Sequence, residues 1–391
     1  MFLLSYNDKM GEMETKKILL KFYSCGNLGD DLFVKIFSDY FNNCRINLIV
    51  NPRYFPKCFG GHVKIHLFSI LDAFIGKALS FIDRKSKTAL ILQEFLNYCQ
   101  CKIQKKHDAA VWIGGSLFMG GTQGSELEFQ TEKCPEFAIN SNLQNNGNSF
   151  IIGANLGPVY SPEYWDSIKA VFRRYNHVCL RDYSSYCMVK ELSNVQYAPD
   201  VIFLTPKPKV SCTGESVVIS VIDICRHTTD KVIISAYYGL LADATSYFAD
   251  RNVPVTLVSF CEREGDEAAI LKLLTSIPDN ANISTCFYKG DIDQILKLFA
   301  GASFIVGSRF HSVILGFLFE KPVFPIVYNC KTTHYLSDLQ FGGKYATLKE
   351  LPALSLDDLI YNYKNHIIVD CSEHIKYAEN QFWGLRQYLK K

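Results

Sequence analysis

The stretch "KILLKFYSCGNLGDDLFVKIFSDYF", Lys17 to Phe41, decides the fold. An apolar run leads into two glycines, an asparagine and two adjacent aspartates, and a run with helical spacing follows. That order reads strand, tight turn, helix, the opening of a βαβ unit. Glycine lets a backbone come close to another group, and a helix start presents unpaired N–H groups, so the turn suits a ligand. It has neither the Lys-Ser/Thr of a Walker loop nor the third glycine of a dinucleotide fingerprint. Asp30 and Asp31 are both placed to cap the helix. One cap needs one aspartate, which leaves a carboxylate to bind a sugar hydroxyl or take its proton.

Outward from this turn the same rhythm recurs. "INLIV", "AAVWIGG", "SFIIGA" and "HVCLR" read as further strands, with "SPEYWDSIKAVFRRY" and "DYSSYCMVKEL" as helices. After the proline-bearing stretch "TPKPKVSCTGE" the pattern restarts with "VVISVI", "VPVTLVSF", "NISTCFY", "SFIVGS" and "PVFPIVY". "DEAAILKLLTSI" and "DIDQILKLFAGA" are helices between them. Strands alternating with helices give parallel sheets covered on both faces. The expected organisation is two Rossmann-like α/β domains facing a cleft: residues 15–204, a linker at 205–215, and residues 216–391. Ligands in such sheets sit beyond the carboxyl ends of the strands.

Bulk properties narrow the function. The chain has 391 residues, 48% hydrophobic and 20% charged, enough for two packed cores. Its net charge of +2 provides no broad basic field for nucleic acid. The start "MFLLSYNDKMGEMETKK" lacks the apolar core of a signal peptide, and the 14 cysteines show no C-x-x-C pair. Free thiols in the cytoplasm are the expectation.

Several strand ends carry candidate site residues. "VWIGGSLFMGG" offers Gly115 and Ser116, and "IIGANLGPVY" offers Asn155. With Gly26, Asn27, Gly29 and Asp30 they form a polar floor that suits a sugar acceptor. In the second half, "IVGSRFHSVILGFLF" places Ser308, Arg309, Phe310 and His311 at the mouth of a very apolar element. Charged groups there are costly unless they bind something. Arginine offers a rigid fork for carboxylate or phosphate, and histidine moves protons near neutral pH. Arg181, just after "HVCL", faces a choice between an anion and a surface pair with Asp182. The D-x-D at Asp291 and Asp293 opens a helix, so capping is the better reading than metal binding, and no metal site is expected.

The ordered set "GNLGDD", "VWIGGS", "ANLGP", "LRDYSS", "APDVIF", "VGSRFHSVILGF" and "YNCKTTHYLSDL" resembles the polysaccharide pyruvyl transferase family from about Lys17 to Gly343. The resemblance implies a two-domain fold like that of GT-B glycosyltransferases. It also implies transfer of the enolpyruvyl unit of phosphoenolpyruvate to sugar hydroxyls, usually as a cyclic ketal, during synthesis of surface (for example capsular) polysaccharide. Arg181, Arg309, His311 and Lys331 match the family's motif positions, while Ser184 and Ser185 compete for the motif serine. Phosphoenolpyruvate as donor substrate would lie against Arg181, Ser308, Arg309, Phe310, His311 and Lys331, with no cofactor. His311 is the expected acid, and Asp30 or Asp31 the group that orients or deprotonates the acceptor. The competing reading is a nucleotide-sugar glycosyltransferase, with Glu262 or Glu264 at a ribose. A non-catalytic sugar-binding protein is a third. The acceptor is expected to be lipid-linked. The apolar stretch "HLFSILDAFIGKALSFIDRKSK" has polar residues only at helical intervals and a basic exit. It reads as a core helix or as one lying on the inner face of the cell membrane.

Overall fold

The computed structural model describes residues 15–50, 59–79, 86–115, 117–118, 148–157, 162–210 and 214–391. Two parallel sheets organise them. The first contains β1 (Lys17–Lys21), β2 (Arg45–Ile49), β3 (Val63–Ile65), β4 (Ala109–Ile113), β5 (Ser149–Ala154), β6 (His177–Leu180) and β7 (Val195–Tyr197). Its order is β3-β2-β1-β4-β5-β6-β7. The second contains β8 (Val217–Ser220), β9 (Val255–Ser259), β10 (Ile283–Phe287), β11 (Phe304–Gly307), β12 (Val323–Val327) and β13 (Ala346–Thr347), in the order β10-β9-β8-β11-β12-β13. Both are doubly wound. The strand order reverses between β1 and β4, and between β8 and β11, so each domain opens a crevice at that point.

The central strands are buried along their length because helices cover both faces; β5, β6, β8, β11 and β12 expose no residue. The strands read from the sequence are present. The short β3, β7 and β13 lie at sheet edges or outer positions and carry too few residues to show a pattern. The segment joining the sheets runs from Thr205, after a 3₁₀ turn over Val201–Leu204, to β8.

The domains touch directly. Leu28 N–H donates to the Phe260 carbonyl at 3.1 Å, and Asn27 forms an isolated antiparallel bridge with Cys261. The last segment of the chain returns to the first sheet. Gln381 accepts from Gly153 N–H and donates to the carbonyl of Ala198, and Phe382 packs its ring against Phe37, Tyr40 and Phe41. A buried glutamine that satisfies backbone groups of two strands fixes this crossing in place.

The helix expected within "HLFSILDAFIGKALSFIDRKSK" spans Phe68–Leu79; residues 80–85 lie outside the described residues. A second helix, Lys87–Gln104, which the sequence reading did not identify, packs beside it.

Candidate active site

The site lies where the two crevices meet, and it is built by turns after β1, β4, β5, β6, β9 and β11. The Gly26–Asp31 turn comes first. Gly26 has φ 71°, the left-handed region that glycine enters freely. Asn27, rather than either aspartate, caps the following helix Leu28–Tyr40: its Oδ1 accepts from Gly29 N–H at 2.9 Å. That frees both aspartates, which part company. Asp31 turns into the protein and accepts from Tyr288 Oη of the second domain at 2.7 Å, with its carboxyl pushed up to about 7 by burial. Asp30 opens onto the cleft. Burial first, then the negative charge of Asp31 and Glu264, pushes its carboxyl up to about 8.

The glycines of these turns make room for side chains. A Cβ on Gly29 would sit 1.8 Å from His311 Nδ1, and one on Gly115 would sit 2.4 Å from Arg181 Nη1. Asn155 also turns inward, its Oδ1 accepting from Arg181 Nη2 at 2.7 Å. Asn27, Gly29, Gly115 and Asn155, expected at the acceptor, therefore have the protein's own groups as their immediate partners. Asp30 remains the member of that set whose side chain is directed at the cleft, and Ser116 lies outside the described residues.

Arg181 follows β6 and is fully buried. It pairs with Asp200 at 2.9 Å, lies over the Phe310 ring at 4.5 Å, and approaches His311 Nε2 at 3.4 Å. The surface pair with Asp182 does not form: Asp182 caps the next helix and binds Ser185 Oγ at 2.7 Å. Ser185, which also accepts from Leu156 N–H, is thus the buried serine of "RDYSS".

From the second domain comes Ser308, whose Oγ accepts from Tyr237 Oη at 3.0 Å. Arg309 is held on both sides. Its Nε donates to Asp266 Oδ2 at 2.9 Å, Nη2 to the other Asp266 oxygen, and Nη1 to Glu264. The fork expected to seize a donor is already occupied by two carboxylates. Arg309 N-caps the helix Phe310–Leu318 with no side chain closing its first turn. Ser220 Oγ accepts from the Arg309 N–H at 3.0 Å and the Arg309 carbonyl accepts from that of Ser312, so the Phe310 and His311 N–H groups are what this helix start offers an anion. His311 stands on this turn. Burial and the charges of Arg181, Lys331 and Arg309 hold its imidazole well below the usual histidine range, so it is neutral at pH 7. Because an arginine only donates, Nε2 must accept from it, which leaves the ring proton on Nδ1. Lys331, on the helix Cys330–Asp338, brings its amine to 5.4 Å from the Phe310 ring. Asp291 caps the helix Ile292–Gly301, as its position suggested.

Asp200, Asp266, Tyr288 and Tyr335 escaped the sequence reading. Tyr335 Oη donates to the Arg181 carbonyl at 2.7 Å and accepts from Asp200 N–H at 3.0 Å. "APDVIF" and "EREGDE" contained the two carboxylates, but nothing local marks an acid that pairs with an arginine far along the chain. Among the described residues, Cys25, Cys261 and Glu264 form a group whose ligand atoms lie within 4.8 Å of one another. The Glu264 oxygen is already bound to Arg309, so the group is two thiols beside an ion pair.

A family comparison decides the class of this site. The model of the polysaccharide pyruvyl transferase family matches residues 27–329, from Asn27 of the first turn to just short of Lys331. The chain belongs to the polysaccharide pyruvyl transferase family. It is therefore a transferase of polysaccharide synthesis, and Arg181, Arg309 and His311 come together in its crevice. No curated protein sequence matches significantly. Among solved structures, it is similar to a UDP complex of MnaA from S. aureus, with TM-score 0.58, 11% identity, and coverage of 96% of this chain and 97% of that one. UDP-GlcNAc 2-epimerase from Methanocaldococcus jannaschii gives TM-score 0.54 at 9% identity, with coverage of 96% and 100%. The corresponding epimerase from Neisseria meningitidis gives 0.54 at 10%, again with 96% and 100%. At these identities the likeness concerns the two-domain GT-B-like fold alone.

Proposed function

We propose that this pyruvyl transferase takes phosphoenolpyruvate as donor and places its enolpyruvyl unit on two hydroxyls of a lipid-linked sugar, closing a pyruvate ketal. The observation that carries the reading is the uncapped helix start at Phe310–His311, with Arg181 and Lys331 beside it. A small dianion or trianion matches that concentration of N–H groups and positive charge.

Protonation states assign the roles. A carboxyl raised to about 8 holds its proton at neutral pH, so Asp30 is the acid that protonates the donor's methylene carbon. The adjacent carbon becomes electrophilic and a sugar hydroxyl adds to it. The one lone pair of neutral His311 lies on Nε2, which Arg181 approaches at 3.4 Å; His311 takes the hydroxyl proton once the anionic donor has drawn Arg181 onto itself. Anionic donor raises the proton affinity of both groups: Asp30 keeps its proton until transfer, and the imidazolium gains a counter-ion. Phosphate leaves with the proton held by His311, and a second hydroxyl closes the ring, returning its proton to Asp30. This reverses the assignment expected from sequence, where His311 was the acid. Arg309 acts through others, fixing the turn that carries His311.

The glycosyltransferase reading required Glu262 or Glu264 at a ribose. Glu262 binds Lys289 at 2.5 Å and Glu264 binds Arg309, so neither is presented to a nucleotide. No helix among the described residues is long and apolar enough to cross a membrane. The donor's metabolic origin places the reaction in the cytoplasm, and a lipid-linked acceptor places it at the inner membrane face. The test is incubation with phosphoenolpyruvate and a panel of lipid-linked and nucleotide-linked sugars. Acceptor-dependent phosphate release supports the reading; consumption of a nucleotide sugar with phosphoenolpyruvate untouched overturns it.

A further inference from the structure

The helices Phe68–Leu79 and Lys87–Gln104 pack beside one another against the first sheet. Both turn residues inward to the same small cluster: Phe68 and Ile75 from one, Leu96 from the other, against Leu19 and Ile49. Their outward faces therefore form one surface, about 18 Å and 27 Å long by helical rise. That surface is apolar where a soluble helix would be polar. Leu67 is 82% exposed, Ile70 60% and Phe74 73%, at spacings of three and four. Ile91, Phe95 and Tyr98 repeat the stripe on the second helix, with Leu90 beside them. The inner face is apolar as well, apart from Ser69, which is bound to the Leu48 carbonyl and the Val50 N–H. Both stripes end on a lysine, Lys77 and Lys102, and Lys87 opens the second helix, all exposed.

We infer that this helix pair is the surface by which the protein lies on an anionic lipid bilayer. Large apolar chains set between lysines, with Glu94 as the one exposed acid among the described side chains of the two helices, match the boundary between acyl chains and anionic headgroups. Neither helix is long and apolar enough to cross a membrane, so the pair lies in the interface plane. Its position agrees. The first helix leaves the carboxyl end of β3, the same edge of the sheet from which the Gly26–Asp31 turn leaves β1. The inference extends the reading of a lipid-linked acceptor to the surface that would meet the lipid.

The test is sedimentation of the full chain with vesicles of phosphatidylcholine alone and with added phosphatidylglycerol. The expected result is co-sedimentation with the anionic vesicles, reduced at least about tenfold in Phe74→Asp and in Phe95→Asp and several-fold in Lys77→Glu/Lys87→Glu. Phosphoenolpyruvate-induced thermal stabilisation and phosphate release with a water-soluble acceptor should match wild type in these variants, which shows that they fold. A wild-type protein that stays in the supernatant overturns the inference. So does self-association without lipid that Phe74→Asp abolishes, since the stripe would then cover a second copy. Phosphate release that persists in either case leaves the catalytic reading standing; its absence alongside lipid binding removes that reading and keeps the surface.

Discussion

Arg181 and Arg309 occupy matching places, each just beyond the carboxyl end of a strand in its own sheet, yet their surroundings differ. Arg309 is neutralised twice within its own domain, by Asp266 and Glu264. Arg181 has one counter-ion, Asp200, and its remaining contacts reach outward: Asn155, the Phe310 ring, and His311 across the domain boundary. Its Nε has no hydrogen-bond partner among the described residues despite burial. A saturated guanidinium holds a turn in shape, whereas one with an open donor holds a shape and can also meet a ligand. The first domain therefore contributes a carboxyl raised to about 8 and a guanidinium with an open donor, and the second a neutral imidazole on a braced helix start.

The largest effect that sharpens this contrast is on stability. Arg309→Ala removes the counter-ion of buried Asp266 and half-buried Glu264, and Arg181→Ala that of buried Asp200; losing one partner of a buried pair costs about 3–5 kcal/mol. Thermal unfolding should rank Arg309→Ala below Arg181→Ala. In compensation, Arg309→Ala, where it folds, should keep part of the stabilisation by phosphoenolpyruvate, and Arg181→Ala should lose it. The reverse ranking would make Arg309 the donor's arginine.

Next come the two groups in the cleft. His311→Ala and Gly29→Ala should each lower kcat by roughly 10²–10⁴-fold, because a Cβ at position 29 displaces the imidazole. Normal kcat in Gly29→Ala, measured by phosphate release, would show that the glycine serves the ligand and not the histidine.

Asp30→Asn should abolish turnover to a similar extent and yet stabilise the fold. The Asp30 carboxyl is raised from 3.8 to about 8 in the folded protein. Below about 4 both states carry the proton and nothing is lost. As pH climbs to about 8 the unfolded chain ionises first, so the folded state is penalised increasingly. The Tm gain of Asp30→Asn should thus be near zero at pH 4 and about 3 °C or more at pH 8. Asp31→Asn is the smaller counterpart, since it keeps an acceptor for Tyr288 and lies away from the cleft. The smallest effect expected is that of exhaustive EDTA treatment, which should leave activity unchanged. Activity lost to EDTA and restored by zinc would bring the Cys25, Cys261 and Glu264 group into the mechanism.

Much of this was legible in the sequence, for identifiable reasons. Strand–turn–helix periodicity reveals doubly wound sheets directly, and the glycine-aspartate turn and the S-R-x-H turn were both found where the strands end. Their internal wiring was not legible. That Gly29 yields to His311 depends on two residues 282 positions apart, and that Asp200 faces Arg181 depends on how β6 meets the turn after β7. Charge pairing of this kind follows from tertiary contact, and local spacing carries no trace of it. The proposed acid–base roles follow from burial and neighbouring charge, which is why His311 read as the acid in sequence and stands as a neutral imidazole in the fold.

The central claim is that Asp30 holds a proton in the resting enzyme while His311 holds a lone pair. Infrared difference spectroscopy of wild type against Asp30→Asn tests it directly, because a protonated carboxyl has its own C=O band and Asp31 cancels in the difference. The account predicts a protonated-carboxyl band at pH 6.5 that disappears through pH 8 and is missing in the variant. A band that titrates near 4, or no band at all at pH 6.5, would contradict it.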